Sequence, residues 1–306
     1  MTVVLEAKDL TCGYGKIVAV RDIDFQIEAG QVLAILGPNG AGKTTLMMTL
    51  AGLLPRIGGD VLLEGVKLPS GKPTHANLAG VVLVPDSRSL FTTLTVKENI
   101  EVARIRGDDI VDDVIDLFPS LQRRLKLKAA ALSGGEQQML AMARGLVQKP
   151  KVFLVDEMSM GLAPIIVETL LPLVRNIADE TGAAVVLVEQ HVRLALEVAD
   201  AAMVLVHGDV SLSGPAEEFR ADPPRLEAAY LGATVAAEHW PAIRRPRPAG
   251  ARRCRPDHRA RRSQRPRRGG SSGCVRATSR TRPAAPGVRG ASRGSDAVRR
   301  RTRCGG

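Results

Sequence analysis

The stretch Gly37-Pro38-Asn39-Gly40-Ala41-Gly42-Lys43-Thr44-Thr45 decides which fold we expect for this 306-residue chain. It contains the pattern Gly-x-x-x-x-Gly-Lys-[Ser/Thr], and the apolar run Val32–Leu36 precedes it. Glycines let backbone amides converge on phosphate oxygens, and the positive end of the following helix faces the same anion. In such a loop Lys43 contacts the β- and γ-phosphates, and the Thr44 hydroxyl binds Mg²⁺. The sequence therefore predicts that residues 37–45 bind ATP or GTP.

Short apolar runs indicate strands that are buried on both faces, as in a parallel sheet. These runs are Val32–Leu36, Val81–Val84, Val152–Val155, Ala184–Val188 and Met203–Val206. Helical stretches separate most of them, which favours an α/β fold with a mainly parallel sheet of the P-loop NTPase type, flanked by helices. Upstream, the β-rich segments Val3–Leu10 and Ile17–Ile27 predict an antiparallel β subdomain.

Residues 95–147, between the second and third runs, predict a helix-rich insertion. Thr95 and Glu98 have the spacing of a capping box, in which the two side chains satisfy free amides at a helix start. Ser133 and Glu136 repeat that spacing, so we expect a second helix to begin there.

A later helix is predicted between Pro164, which suits a first helical turn, and Gly182, which suits a helix end. Pro172 falls inside this segment and lacks the amide hydrogen that a helix needs at that position. We therefore expect the helix to kink or break at Pro172.

The segment Val152-Phe153-Leu154-Val155-Asp156-Glu157 is an apolar strand that ends in two acids. Carboxylates at a buried strand end are costly unless they bind a ligand or take part in a reaction. Beside a phosphate-binding loop, we expect Asp156 to hold Mg²⁺ through water. We expect Glu157 to act as the general base that polarises the attacking water. A strand followed by an ordinary acidic turn is the competing interpretation.

Residues 241–306 differ abruptly in composition from the preceding chain. They contain 21 Arg, no Lys and two acids, a net charge of +19, whereas residues 1–240 carry a net charge of −8. They show no apolar periodicity, so we expect a disordered tail. Its arginines could attract phosphates of nucleic acid or of an anionic membrane, but it has no aromatic residue for base stacking. We hypothesise instead a non-functional extension from a frameshift near residues 238–243, because abundant Arg, Pro, Gly and Ala without Lys is typical of GC-rich DNA translated out of frame.

Cysteine usage and hydropathy indicate the compartment. Only Cys12 of the four cysteines lies in the patterned part of the chain, so neither a disulfide framework nor a zinc site is expected. No apolar run approaches the ~20 residues that span a bilayer, and the N-terminal residues lack the features of a signal peptide. We expect a reduced, cytosolic compartment, with any membrane-spanning part on another chain.

The stretch Leu132-Ser133-Gly134-Gly135-Glu136 predicts a second anion site, since it places a serine and two glycines at a helix start. One nucleotide does not need two such sites on one chain. Lying between the phosphate loop and the acidic strand, this motif resembles the signature of ATP-binding cassette (ABC) ATPases, and the resemblance covers about residues 4–235. An ordinary capped helix is the competing interpretation.

The resemblance implies that two cassettes, identical or different, pair head to tail, so that the phosphate loop of one and the signature of the other enclose each ATP. By the same resemblance, Ser133 and Gly135, with Gly134 between them, bind the γ-phosphate held by the partner's loop. Tyr14, which lies between two glycines, matches the aromatic residue that stacks on adenine. A tyrosine in a simple turn is the alternative.

Three positions depart from the usual cassette pattern. Asp86 stands where most cassettes have the Gln that senses Mg²⁺ and contacts the membrane subunit; a solvated loop acid is the alternative. Counted from Glu157, the family's switch histidine falls on Gln190, so we expect Gln190 to approach the γ-phosphate side. His191, one residue later, is the second candidate for the switch or else a surface or packing histidine. In most cassettes the loop that here ends at Ala163 ends in Asp. The replacement of that Asp by Ala weakens one contact across the dimer.

These departures resemble one of the two ATPases of branched-chain amino acid importers. Four features carry the resemblance: the acid after Val-Pro, Gly-Leu-Ala-Pro after the acidic strand, Val-Glu-Gln before the switch, and the stretch Arg88–Asn99. It implies an ATP-hydrolysing subunit at the cytoplasmic face of the cell membrane. Its partners would be a second ATPase subunit, transmembrane permeases and a substrate-binding protein, without nucleic acid. The alternatives are an ABC transporter for urea, another amide or an exported lipid, and a soluble ABC protein acting on ribosomes or DNA.

Overall fold

The computed structural model describes residues 2–105 and 110–230, so the tail predicted for residues 241–306 lies outside the described residues. The strands, in chain order, are β1 (Val3–Tyr14), β2 (Ile17–Glu28), β3 (Val32–Leu36), β4 (Gly58–Leu63), β5 (Val66–Lys67), β6 (Val81–Val84), β7 (Val152–Asp156), β8 (Ala184–Val188), β9 (Ala201–Val206) and β10 (Asp209–Pro215). The helices are α1 (Lys43–Leu50), α2 (Pro73–Ala79), α3 (Val96–Ala103), α4 (Val111–Asp116), α5 (Pro119–Gln122), α6 (Gly134–Leu146), α7 (Pro164–Thr181), α8 (Val192–Val198), α9 (Ala216–Ala221) and α10 (Pro223–Tyr230).

An antiparallel sheet with the strand order β2-β1-β4-β5 forms the N-terminal part of the protein. β1 pairs with β2 on one side and with β4 on the other, where Leu5 lies opposite Leu63. The antiparallel β subdomain is therefore confirmed. It also contains the hairpin of β4 and β5, which the sequence did not predict.

A second sheet has the strand order β10-β9-β3-β8-β7-β6. All its neighbouring pairs are parallel except β10 with β9. The apolar runs are confirmed as strands of a mainly parallel sheet flanked by helices, which is the predicted α/β fold. Because parallel strands end at the same edge, the segments that follow β3, β8 and β7 lie side by side there.

The two faces of the parallel sheet pack against different halves of the protein. Leu33 and Ile35 of β3 belong to a buried cluster that includes residues of β1 and β2. Val32, Ala34 and Leu36 point the other way and join a cluster with residues of α6 and α7. This division follows from the alternation of side chains along a strand.

The helix-rich insertion is confirmed by α3, α4, α5 and α6. Both predicted capping boxes are present. The amides of Thr95 and Ser133 donate to the carboxylates of Glu98 and Glu136 at 2.7 and 2.9 Å, and each Thr or Ser hydroxyl accepts from the amide three residues on. Capping thus fixes where α3 and α6 begin.

Helix α7 differs from the prediction at its centre. It begins at Pro164 and ends before Gly182, as expected, but it runs without a break through Pro172. Pro172 lies on the exposed side, where water can reach the carbonyl group that lacks its amide partner. Buried side chains on both sides, including Leu170, Leu171 and Val174, hold the two halves to the core. Of the two expected outcomes, a kink or a break, the break is therefore wrong.

Candidate nucleotide-binding and catalytic site

The phosphate loop joins β3 to α1 through glycines with left-handed backbone conformations. Gly37 and Gly42 have φ values of 147° and 100°. A Cβ atom at Gly37 would lie 2.1 Å from the carbonyl oxygen of Leu205 on β9, so a side chain does not fit there. The loop leads directly into the first turn of α1, whose amides have no partner within the helix.

A cavity of about 310 Å³ adjoins the loop. Asn39, Lys43 and Thr44 line it together with Glu157, which follows β7, and Gln190, which follows β8. Gly40, Gly42 and Thr45 also line it, whereas Ala41 is buried in the core below. A larger, mainly apolar groove of about 780 Å³ lies between α8, α9 and α10 and contains none of the predicted site residues.

The Lys43 side chain is buried beneath the loop. Its Nζ atom donates to the carbonyl oxygens of Gly37 at 2.9 Å and Pro38 at 3.1 Å, and lies 3.6 Å from Oε1 of Glu157. An ammonium group placed between the loop and an acid can exchange these contacts for phosphate oxygens.

Asp156, at the end of β7, is a buried carboxyl with an unused oxygen. Its Oδ1 atom has no hydrogen-bond partner among the described residues. Burial raises the pKa of Asp156 to about 6; a hydrogen bond with Thr44 opposes the rise, and the charges of Glu157 and Asp86 add to it. Such a group, beside a hydroxyl, suits a hard divalent cation.

The side chains around Asp156 do not by themselves form a complete metal-binding site. No group of three or more His, Cys, Asp or Glu side chains in the described ranges could hold a metal ion. Mg²⁺ does not require one, because it keeps several waters and uses one or two carboxylates together with substrate phosphates. Thr44 and Asp156 therefore fit Mg²⁺ that arrives with a nucleotide.

Glu157 adopts a left-handed conformation with φ of 42°, which is uncommon for a residue with a side chain. Its amide donates to the carbonyl oxygen of Val188 at 3.0 Å, across the ends of β7 and β8. Nε2 of Gln190 donates to Oε2 of Glu157 at 3.0 Å. The backbone thus turns the carboxylate of Glu157 toward both Lys43 and Gln190.

The structure separates the two candidates for the switch position. Gln190 lines the cavity and contacts Glu157. His191 is exposed, occupies the N-cap of α8 and does not line that cavity. Of the two, only Gln190 lies at the proposed reaction centre.

Asp86 lies in the segment that follows β6 and is exposed. It is close enough to raise the pKa of Asp156, because β6 is the direct neighbour of β7, the strand that ends at Asp156. Two residues on, the guanidinium of Arg88 donates to Gln137 and Gln138 of α6, both at 3.0 Å. The Asp86 segment is thereby anchored on the helix that begins at the signature.

The signature residues Ser133, Gly134 and Gly135 stand at the start of α6 and do not line the cavity beside the phosphate loop. The Ser133 hydroxyl accepts a hydrogen bond from the Glu136 amide at 3.3 Å, so it serves as a helix cap in this structure. Tyr14 is half-exposed at the end of β1, with its hydroxyl 3.9 Å from the sulfur of Met48 on α1. It does not line the cavity either.

Two contacts at the site were not predicted. The fully buried carboxylate of Glu189 accepts hydrogen bonds from Ser159, and the Tyr230 hydroxyl accepts one from the amide of Gly37 at 2.8 Å. Glu189 is an acid at the end of an apolar strand, the same signal that singled out Asp156. Tyr230 carries no comparable signal in the sequence.

Phosphate-loop glycines, a buried lysine and a strand-end acid that meet at one sheet edge are the parts of an ATP-hydrolysing cassette. A family model described as ABC transporter matches residues 20–160. The branched-chain amino acid transport ATP-binding protein BraG of Pseudomonas aeruginosa is 38% identical over 224 residues, covering 72% of this chain and 95% of BraG. The probable branched-chain amino acid transport protein LivF of Archaeoglobus fulgidus is 37% identical over 220 residues, covering 70% and 93%.

Other relatives act in different transport systems. The lipopolysaccharide export ATP-binding protein LptB of Escherichia coli K12 is 30% identical over 236 residues, covering 74% of this chain and 97% of LptB. The solved dimeric structure of a bacterial ABC transporter cassette is 25% identical with a TM-score of 0.60, and covers 69% of this chain and 98% of that one.

The chain belongs to the ABC transporter family of ATP-binding proteins. It is an ATP-binding and ATP-hydrolysing subunit of a transporter, and the recognition made from its motifs is confirmed. No helix in residues 2–105 and 110–230 is long and apolar enough to cross a membrane.

Proposed function

We propose that this chain supplies the energy for an importer of branched-chain or related amino acids, from the cytoplasmic face of the cell membrane. The similarity to BraG and LivF supports the substrate class. The observation that carries the proposal is the hydrogen bond from Gln190 to Glu157, because it supports a switch role for the Gln of Val-Glu-Gln, one of the features shared with branched-chain amino acid importers. Purification with the membrane partners and a substrate-binding protein, followed by an ATPase assay with branched-chain amino acids, tests it. Turnover that no amino acid stimulates would contradict it.

The geometry of the cavity supports the following proposed roles. Backbone amides of the phosphate loop and Lys43 hold the β- and γ-phosphates. Thr44 and Asp156 would hold Mg²⁺, with Asp86 near it, and the ion would neutralise phosphate charge when bound. Glu157 polarises the attacking water, and Gln190 orients Glu157 on the γ-phosphate side.

We also propose that the active unit contains two cassettes. The signature residues do not line the chain's own phosphate-loop cavity, and one similar cassette of known structure is a dimer. Ser133, Gly134 and Gly135 would then contact ATP held by the partner, and Tyr14 the adenine of its own nucleotide. Permease subunits would contact the segment around Asp86 and the helical insertion.

The substitution Glu157→Gln tests the proposed base. The amide keeps the shape of the side chain but cannot accept a proton from water, so turnover should fall by at least about 100-fold. The dissociation constant for ATP should change little, because the phosphate loop is intact. Turnover is measured by phosphate release and binding by titration with ATP. Glu101→Gln, at an exposed residue of α3, is the matched control and should hydrolyse ATP normally. Near-normal hydrolysis by the Glu157→Gln variant would refute the assignment.

A lipid exporter is the alternative that a specific observation favours, because LptB is similar over nearly its whole length. Adjacent genes for a permease and a periplasmic amino-acid-binding protein would support import. For the nucleic-acid alternative, deletion of residues 241–306 should abolish function and nucleic acid should stimulate the ATPase. We expect neither result.

For the domain organisation we propose an ATP-binding domain at residues 1–240 and a separate tail at residues 241–306, which arises from a frameshift. The charge contrast between the two segments supports this division. Resequencing of the gene tests it, and an intact frame with no nearby insertion or deletion would rule out the frameshift.

A further inference from the structure

Glu189 is a buried acid that the proposed roles do not use. It directly follows β8 and its side chain is fully buried. Burial raises the pKa of its carboxyl, and hydrogen bonds from Ser159 and from the Gln190 amide oppose that rise. A buried carboxyl destabilises the fold unless it has partners, so its partners indicate what it does.

Three donors converge on the Glu189 carboxylate. The Ser159 hydroxyl donates to Oε2 at 2.5 Å and the Ser159 amide donates to Oε1 at 3.1 Å. The amide of Gln190 donates to Oε2 at 3.1 Å. Ser159 lies two residues after Glu157, so this one carboxylate joins the segment that follows β7 to the segment that follows β8.

The same two segments also meet where the reaction takes place. Gln190 reaches Glu157 through its side-chain amide, although Gln190 itself is exposed. An exposed side chain can adopt several rotamers, so fixing its contact costs conformational entropy. A backbone that is itself fixed in place lowers that cost for the contact of Gln190 with Glu157. The carboxylate of Glu189 holds that backbone amide on one side and the loop after Glu157 on the other.

We propose that Glu189 and Ser159 are positioning residues, which fix Gln190 against Glu157 and thereby set the orientation of the general base. The proposal rests on the role proposed above for Glu157. Neither residue lines the phosphate-loop cavity, so both act through Gln190 and Glu157 rather than on ATP.

The test uses Ser159→Ala and Glu189→Gln in the full chain, assembled with its partner subunits where turnover requires them. We expect kcat for ATP hydrolysis to fall roughly tenfold in each variant, while the dissociation constant for ATP changes less than about twofold. Measurements are made below the unfolding transition of every variant. Thr181→Ala, which removes a hydroxyl hydrogen bond at the end of α7, is the matched control and should leave kcat unchanged.

A second arm separates positioning from a purely structural role. Ser159→Ala is combined with Gln190→Ala, and the serine substitution should then have no further effect on kcat, because the side chain that it positions is gone. An undiminished effect of Ser159→Ala in that background overturns the proposal, and so does an unchanged kcat in Ser159→Ala alone. If Glu157→Gln abolishes turnover while Ser159→Ala is normal, the positioning role is wrong and the general base stands. A fully active Glu157→Gln would instead remove the basis of both.

Discussion

At the scale of single residues, Asp156 combines a proposed role in binding Mg²⁺ with a cost in stability. Its pKa is raised from 3.8 to about 6, so the folded protein without metal must keep an unfavourable charge at neutral pH. A shift of this size corresponds to roughly 3 kcal/mol, and to less where water enters the cavity. Mg²⁺ bound with ATP would remove that cost, which links nucleotide binding to stability.

We expect Asp156→Asn to stabilise the nucleotide-free protein by about 1–3 kcal/mol at pH 7. Because the pKa of Asp156 is raised in the folded state, the folded wild type binds more protons between about pH 4 and pH 6, and it loses stability as pH rises through that window. The advantage of the variant should therefore vanish near pH 4 and be complete above pH 6. Urea unfolding at several pH values measures it.

The control for this prediction is Asp209→Asn, which alters an exposed acid in a 3.6 Å ion pair with Arg21. Its stability should stay within about 0.5 kcal/mol of the wild type. The Asp156→Asn variant should also gain no extra stability from Mg²⁺ in the presence of ATP. An equal advantage at pH 4 and pH 7 would contradict the prediction.

At the scale of elements, helix α7 contains a proline that its packing tolerates. Pro172 offers no amide hydrogen, and an interior proline costs about 3 kcal/mol in an isolated helix. We expect Pro172→Ala to raise the free energy of unfolding by about 1–2 kcal/mol, since the restored hydrogen bond outweighs the greater freedom of the unfolded chain. Urea unfolding with an unchanged m-value measures the gain.

Asn176→Ala provides the comparison one turn further along α7. Asn176 is also exposed and has a lower helix propensity than alanine, but it already has its backbone hydrogen. Its substitution should gain no more than about 0.7 kcal/mol. If the two variants were equally stabilised, the proline would carry no hydrogen-bond cost in this helix.

Helix α7 also illustrates how far sequence reasoning reaches. Pro164 and Gly182 predicted its ends, because capping and left-handed turns depend on a few adjacent residues. Continuity through Pro172 depends on Leu170 and Val174 packing against distant parts of the chain, which no local pattern contains.

The same distinction holds at the site. The phosphate loop, Asp156 and Glu157 were predicted because each motif places its chemistry next to the element that positions it. The contact of Glu189 with Ser159 depends on β7 and β8 being neighbours in the sheet. That order cannot be read from the spacing of the strands along the chain.

At the scale of the whole molecule, the hydrogen bond from Gly37 to Tyr230 joins the phosphate loop to the last described helix. The Tyr230 hydroxyl is the acceptor for this amide, and Gly37 is buried. A buried amide without an acceptor costs about 1–3 kcal/mol. The orientation of the loop therefore depends on a residue 193 positions further along the chain.

We expect Tyr230→Phe to lower the free energy of unfolding by about 1–3 kcal/mol and to weaken ATP binding several-fold, because the loop must rearrange to satisfy the Gly37 amide. Thermal unfolding and titration with ATP measure the two effects. Tyr14→Phe is the matched control, since the hydroxyl of Tyr14 makes only a contact with sulfur and the ring is kept. Equal ATP affinity in both variants would show that the Tyr230 hydroxyl does not support the loop.

The position of Tyr230 also limits how this protein can be shortened or fused. A recombinant fragment ending within α10, before Tyr230, would contain the phosphate loop, the signature, Asp156, Glu157 and Gln190. It would nevertheless leave the first glycine of the loop without its acceptor. A cut or a fusion junction should therefore lie beyond Tyr230, even though every recognisable motif ends well before it.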